Sequence, residues 1–235
     1  MARHDVGRDA IKSKRETPTL LILSSHPDDL ELSCGLLCHR AMLLGWHPVE
    51  IVLTDGAAGG NDPKFYHTEK LRRQRIAEAR RGGSWFGVES MTFWGYADSE
   101  LARYLPPATE GLLEMLESQS PAIIAFPSSS DTHPDHISTH IVAMSALEEY
   151  CKEVVSLQYC FWGEDDTQNI VLVHPAGMVA KEAAIREHKS QPTDKYFRRL
   201  YKSDKVTNGY EQYYSSNPGR TVLIMSEWGF NVHHR

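Results

Sequence analysis

The sequence has few cysteines, no long apolar run and no surplus of positive charge. Its four cysteines stand at 34, 38, 151 and 160, and none forms a C-x-x-C pair. That is too few for a disulfide scaffold, so reduced thiols in a cytoplasmic protein are the simpler reading. No stretch approaches the roughly 18 consecutive apolar residues of a membrane span. The basic N-terminus, MARHDVGRDAIKSKRETPT, lacks the apolar core of a signal peptide, because TLLIL is short and leads into polar sequence. Residues 1–16 are therefore expected to be a solvated tail. Lys and Arg number 25 against 31 Asp and Glu in 235 residues, so the chain lacks the basic excess of a general nucleic-acid binder. Repeats, low-complexity tracts and linkers are absent too. Residues 17–235 read as one domain, large enough to bury a core without staples.

Short apolar runs alternate with longer amphipathic ones through the first two-thirds. Thr19–Leu23, Val49–Leu53, Ser90–Trp94 and Ala122–Phe126 read as strands. Residues 33–44, 69–86, 108–118 and 137–150 read as the helices that follow them, Gly45 ending the first. Four strand–helix units with short connections predict an α/β fold, a mostly parallel sheet with helices on both faces. The last third is less regular: 171–173 and Thr221–Met225 read as strands and 178–189 as a helix.

Each predicted strand of the first two-thirds ends in a polar cluster: HPDD, TDG, YAD and DTHPDH. Ligands of open α/β sheets bind outside the carboxyl ends of the strands, so the loops after the first and fourth strands are expected to meet in one crevice. His26-Pro27-Asp28-Asp29 combines imidazole and carboxylate, both good ligands for a divalent metal such as zinc, on a turn that Pro27 stiffens. Alone it reads equally as a turn with an Asp helix cap. His133-Pro134-Asp135-His136 repeats the His-Pro-Asp pattern at a topologically similar place, which a pair of ordinary surface turns does not explain.

HPDDLELSCG, LTDGAAGG, the R-x-x-E of Arg75–Glu78, FWGYADSEL, THPDH and HKSQ at 188–191 occur in that order. Together they resemble the LmbE-like (PIG-L) family of zinc-dependent N-acetylglucosaminyl deacetylases over about residues 19–191. The HPDD and HPDH pair is the specific part. Glu31 keeps the family glutamate, while Ser33 stands where a glycine is common.

The resemblance implies a Rossmann-like fold and one zinc per chain, held by His26, Asp29 and His136. It makes Asp28 the general base and His133 the group acting on the carbonyl oxygen and leaving amine, with Asp135 orienting His133. It also implies substrate contacts from Arg75 and Asp98. Three protein ligands leave one position for water, as in catalytic zinc sites, and zinc brings that water's pKa to about 7. The expected substrate is a small N-acetylglucosamine-type amino sugar or its conjugate, with neither nucleic acid nor membrane as partner. Family members often form symmetric homo-oligomers, and the same is expected here. Three rival readings are an amidase of a larger acyl group, a non-catalytic metal- or sugar-binding protein, and a metal phosphoesterase. The last lacks the carboxylates of an obvious two-metal site.

Other patterns carry less. His136 and His140 have the i, i+4 spacing of H-E-x-x-H, but residue 137 is Ile. Ser128–Ser130 lack a G-x-S-x-G elbow, and DGAAGG is not a dinucleotide fingerprint. Arg75 and Glu78 also read as a surface ion pair. Cys34 and Cys38 read as buried apolar residues, the five tryptophans mostly as core, and His233 and His234 as tail.

Overall fold

The computed structural model describes residues 17–163, 167–202 and 209–235. The expected tail, 1–16, lies outside the described residues. A five-stranded sheet is built from β1 (Thr19–Ser24), β2 (His47–Thr54), β3 (Ser90–Tyr96), β4 (Ile123–Pro127) and β5 (Val155–Tyr159). Its order is β3-β2-β1-β4-β5, and every pair is parallel. The chain reverses direction across the sheet between β1 and β4, the place where an open α/β sheet leaves a crevice.

Alternate residues of the strands serve two cores, because side chains along a strand point to opposite faces. Leu20, Ile22, Ile123, Ala125 and Leu157 pack with Leu36, Leu37, Cys38 and Ala41 of α1 (Gly35–Leu43). Leu21, Leu23, Ile51, Ile124 and Phe126 pack with α3 (Leu105–Gln119) and α4 (Pro134–Glu149), through Leu112, Leu116, Val142 and Ala146. Both faces are covered, so the strands read as continuous apolar runs. Removing one of these fully buried leucines to alanine costs about 2–5 kcal/mol.

The charged helix α2 (Glu69–Ser84) starts with Thr68, whose hydroxyl accepts the Leu71 N–H. The first crossover begins with a single π-helical turn, Leu30–Cys34, before α1. It ends at Gly45, whose φ of +74° favours glycine.

The last third adds α5 (Met178–Arg186), α6 (Thr193–Lys202) and α7 (Pro218–Glu227) to an antiparallel sheet. That sheet comprises β6 (Ile170–Val173), β7 (Tyr210–Tyr213) and β8 (Val232–His234), in the order β7-β6-β8. Gln158 and Tyr214 exchange backbone hydrogen bonds of 2.9 and 2.8 Å, joining this sheet to the β5 edge. Ile170, Leu172, Tyr213 and Val232 enter the same core as α1.

Glu211 of β7 fastens the two sheets to α1. Its Oε1 accepts from Leu36 N at 2.9 Å and Lys181 Nζ at 2.5 Å. Its Oε2 accepts from Leu37 N at 3.0 Å and the Tyr213 hydroxyl at 2.6 Å. The first-turn amides of α1, which have no partner inside the helix, are thus satisfied from a distant strand.

Several expectations need correction here. Thr221–Met225 is helical, lying inside α7, where the Asn217 side chain accepts the Arg220 N–H and Pro218 occupies the first turn. His233 and His234 belong to β8 and are no tail. Of the tryptophans only Trp46 is buried; Trp85 is 45% exposed. Cys34 and Cys38 are buried as expected. No helix among the described residues is long and apolar enough to cross a membrane.

Candidate metal and active site

The loops after β1 and β4 meet, as the strand order requires. His26, His133 and His136 approach with ring centroids 4.5 Å apart for His26–His133, 5.3 Å for His26–His136 and 5.2 Å for His133–His136. One nitrogen from each of the three lies within 4.8 Å of the others, and a second such group is His26, Asp98 and Asp135. A cleft of about 210 Å³ opens here, lined by His26, Asp28, Asp29, Arg75, Asp98 and His133 among others.

The directions of the contacts sharpen that picture. His26 turns Nε2 towards Asp135 Oδ2 at 3.2 Å and Asp98 Oδ1 at 3.4 Å. Its Nδ1 faces Asp29 Oδ2 at 3.9 Å. His136 sets Nδ1 3.0 Å from Asp131 Oδ2 and Nε2 3.3 Å from Asp29 Oδ1. Neither His136 nitrogen has a well-aligned hydrogen-bond partner although the ring is fully buried. Each ring therefore has one nitrogen against an outer carboxylate and the other turned to Asp29. Asp29 itself is fixed by backbone N–H groups of Ser25 and His26 at 2.8 and 3.0 Å.

Charge at the site is unbalanced. Asp28, Asp29, Asp98, Asp131 and Asp135 are all buried, with Arg75 the buried guanidinium among them. Burial works against a charged His136, but Asp29 and Asp131 outweigh it and raise the ring to about 9. His26 is likewise driven well above its ordinary value, Asp135 and Asp98 overcoming its burial. Two imidazoles forced towards the charged form mark a pocket short of positive charge. The nitrogen and carboxylate donors around it suit zinc or a similar divalent ion.

His133 behaves differently. It caps α4, with its Nδ1 accepting the Asp135 N–H at 3.2 Å. A ring that accepts at Nδ1 carries its proton on Nε2 when neutral. Burial first, then the neighbouring His26 and His136 charges, hold it below the usual histidine value. The expectation that the Asp135 carboxylate orients His133 is corrected. That carboxylate accepts from Ser99 N at 2.7 Å and Leu101 N at 3.2 Å and contacts His26, while the Asp135 backbone N–H holds His133.

Arg75 and Glu78 are not an ion pair. Both are buried. Arg75 donates from Nη2 to Asp28 Oδ1 at 2.7 Å and from Nη1 to Gly56 O at 2.6 Å. Gly56, with φ of +60°, lies so near that a Cβ there would collide with the guanidinium and Pro27. Glu78 instead accepts from Ser190 N and Oγ at 3.0 and 2.5 Å. Glu31 faces His188 at 3.3 Å. The motifs read separately along the sequence thus interlock in space. Asp98 lines the cleft, its Oδ2 held by Ala58 N at 2.8 Å. His140 hydrogen-bonds Pro127 O at 3.1 Å.

Sequence reasoning missed the wall contributed by the last third: Trp162, Lys195 and Tyr196. The Tyr196 hydroxyl donates to Asp28 Oδ2 at 2.7 Å. No motif marks these residues; the nearest signal is HKSQ, whose Gln191 accepts from Tyr196 at 3.5 Å.

A family model described as PIG-L, GlcNAc-PI de-N-acetylase, matches residues 21–147, just over half of the chain. The chain belongs to the PIG-L family. The matched segment runs from β1 into α4 and so contains both His-Pro-Asp clusters. Among PIG-L-like relatives, the uncharacterized deacetylase YaiS of Escherichia coli K12 is 22% identical over 185 residues, covering 77% of this chain and 95% of that protein. The diacetylchitobiose deacetylase of Thermococcus kodakarensis is 25% identical over 131 residues, 54% of this chain and 48% of that protein. The chain thus spans about half the length of that second relative. The solved structure of N,N'-diacetylchitobiose deacetylase from Pyrococcus horikoshii, complexed with its inhibitor MPG, matches with a TM-score of 0.72 at 20% identity. The match covers 84% of this chain and 83% of that one, a likeness of fold.

Proposed function

We propose that this chain is a zinc-dependent N-deacetylase that releases acetate from the amine of an N-acetylglucosamine-type sugar or its conjugate. The observation that carries the reading is the meeting of the two His-Pro-Asp clusters at the sheet's crevice, with Asp28 held beside them by Arg75. The relative named as a diacetylchitobiose deacetylase supports the substrate class.

His26, Asp29 and His136 would hold the ion. Their support is the carboxylate behind each ring, Asp135 for His26 and Asp131 for His136, since metal-bound histidines commonly donate their other N–H to such a group. His133 has the weaker claim, because its Nδ1 is already taken by a backbone N–H. When bound, zinc supplies Lewis acidity and lowers the pKa of a water.

The remaining work falls to side chains. Asp28 accepts the proton of the attacking water. His133 donates from Nε2 to the amide oxygen as charge develops there. Its tautomer is fixed by the α4 cap, so the donor is in place before the substrate arrives. Arg75 is committed to Asp28 and Gly56, so its first service is to the base. Asp98, which lines the cleft, accepts from sugar hydroxyls. The reduced thiols of Cys34 and Cys38, buried in the core, fit a cytoplasmic setting.

A panel of N-acetylglucosamine conjugates and acetyl-lysine peptides, assayed for free-amine release, tests the reading. The sugars are expected to be much the better substrates. Equal efficiency on both, unaffected by Asp98→Ala, would overturn the amino-sugar assignment.

A further inference from the structure

Resting on that reading, we infer that Tyr196 is a positioning residue for Asp28 and selects the oxygen at which Asp28 takes up its proton. The two carboxylate oxygens of Asp28 are not equivalent. Oδ1 accepts from the Arg75 guanidinium at 2.7 Å, a permanently charged donor that cannot accept in return. Protonating Oδ1 would set its hydrogen against that cation. Oδ2 accepts from the Tyr196 hydroxyl at 2.7 Å. A hydroxyl is both donor and acceptor, so this bond can reverse.

The step balances without any other reactant. A water O–H bond breaks, its proton goes to Asp28 Oδ2, and the neutral carboxyl then donates to the Tyr196 oxygen. Tyr196 keeps its own hydrogen throughout and turns it from Asp28 to Gln191 Oε1, 3.5 Å away. Nothing in the resting contacts asks Tyr196 to bind the ground-state substrate, so its removal should act on kcat and spare KM.

The surroundings hold the ring still. Tyr196 is buried in α6, with its ring edge-on to Phe161 and Trp162 at centroid distances of 6.0 and 6.1 Å. Leu32, Ile185 and Phe197 complete that cluster. Phenylalanine can occupy the same packing without the hydroxyl. Burial, reinforced by the negative charge of Asp28, keeps the phenol protonated far above neutral pH, so it is a standing donor.

The test compares Tyr196→Phe and Tyr196→Leu with wild type, both as metal-loaded full-length enzymes, on the best N-acetyl sugar. Tyr196→Phe should lower kcat roughly 10- to 100-fold, the range for a hydrogen bond to a charged group, with KM and metal content unchanged. Tyr196→Leu should lose stability as well. A downfield, slowly exchanging hydroxyl proton resonance should be present in wild type and missing from Tyr196→Phe. Unchanged kcat in Tyr196→Phe, or a change confined to KM, would overturn the inference and leave the deacetylase reading intact. A wild type that hydrolyses no acetylated sugar would overturn that reading and, with it, the role in catalysis. The resonance would then report only on the resting bond.

Discussion

Residues 19–159 deliver most of their functional side chains from the ends of parallel strands, with Arg75 of α2 the exception, whereas residues 160–202 deliver theirs from a loop and a helix packed over those ends. His26, Asp28 and Asp29 follow β1, and His133 and His136 follow β4 across the reversal of strand order. Trp162, Lys195 and Tyr196 form the opposite wall of the same cleft. The first group rests on a backbone fixed by two cores. The second rests on a smaller apolar cluster of Leu32, Phe161, Ile185, Tyr196 and Phe197 and on contacts such as Gln191 to Gly59 O at 3.4 Å and Ser190 to Glu78. Reactive groups thus sit where the sheet enforces their spacing, and the facing wall sits on a smaller core of its own.

The sharpest way to break this comparison is to remove a ligand from the strand ends. His26→Ala should lose most of the bound metal by elemental analysis and about 10³-fold or more in activity, because the ion supplies much of the transition-state stabilisation. Asp28→Asn should keep its metal and lose roughly 10²–10⁴ in rate, the range for a positioned base. Retained metal with normal turnover would move the base elsewhere.

The join between the parallel sheet and the last third of the chain is the next place to press. Glu211→Ala strips α1 of its first-turn partners and leaves Lys181 buried without its carboxylate. Breaking a buried pair in this way costs about 3–5 kcal/mol, visible as a lower denaturant midpoint. Asp98→Ala should cost about 1–3 kcal/mol in kcat/KM for the sugar substrate, with metal content unchanged.

The smallest effect concerns pH. His39 Nδ1 and His174 Nε2 lie 2.7 Å apart across the join. Burial lowers both rings below the ordinary value of 6.5, and in His174 the His39 charge adds to it. The unfolded chain therefore binds more protons than the folded one as pH falls. The stability is fully present above about 6.5 and is lost as pH drops through the folded values. The change in denaturant midpoint between pH 7.5 and 5.5 should be shifted in His174→Asn relative to wild type, with less loss on acidification.

The parallel half was legible because each of its first four strands is a compact apolar run followed by an amphipathic helix, and because the polar clusters fall at the strand ends. β5 escaped notice since Val155-Ser-Leu-Gln-Tyr alternates over only five residues. Thr221–Met225 has the apolar look of a strand, but the Asn217–Pro218 start makes it a helix. Arg75 and Glu78 have the spacing of a surface pair, and only the fold shows that Asp28 and Ser190 take them separately. Tyr196 is one tyrosine in a charged segment, TDKYFRRLYK, and its link to Asp28 spans 168 positions. Long-range contacts of that kind leave no local pattern. The same holds for Asp135, whose spacing in HPDH suggests His133 while its carboxylate reaches His26.

The most direct test of the account is amine release from an N-acetylglucosamine conjugate by one preparation in three states: as isolated, after chelation, and after zinc is restored. Metal content is measured by elemental analysis at each stage. The account predicts close to one ion per chain in the active states, with ion and activity lost together and recovered together. Full activity in a preparation stripped of metal would contradict it.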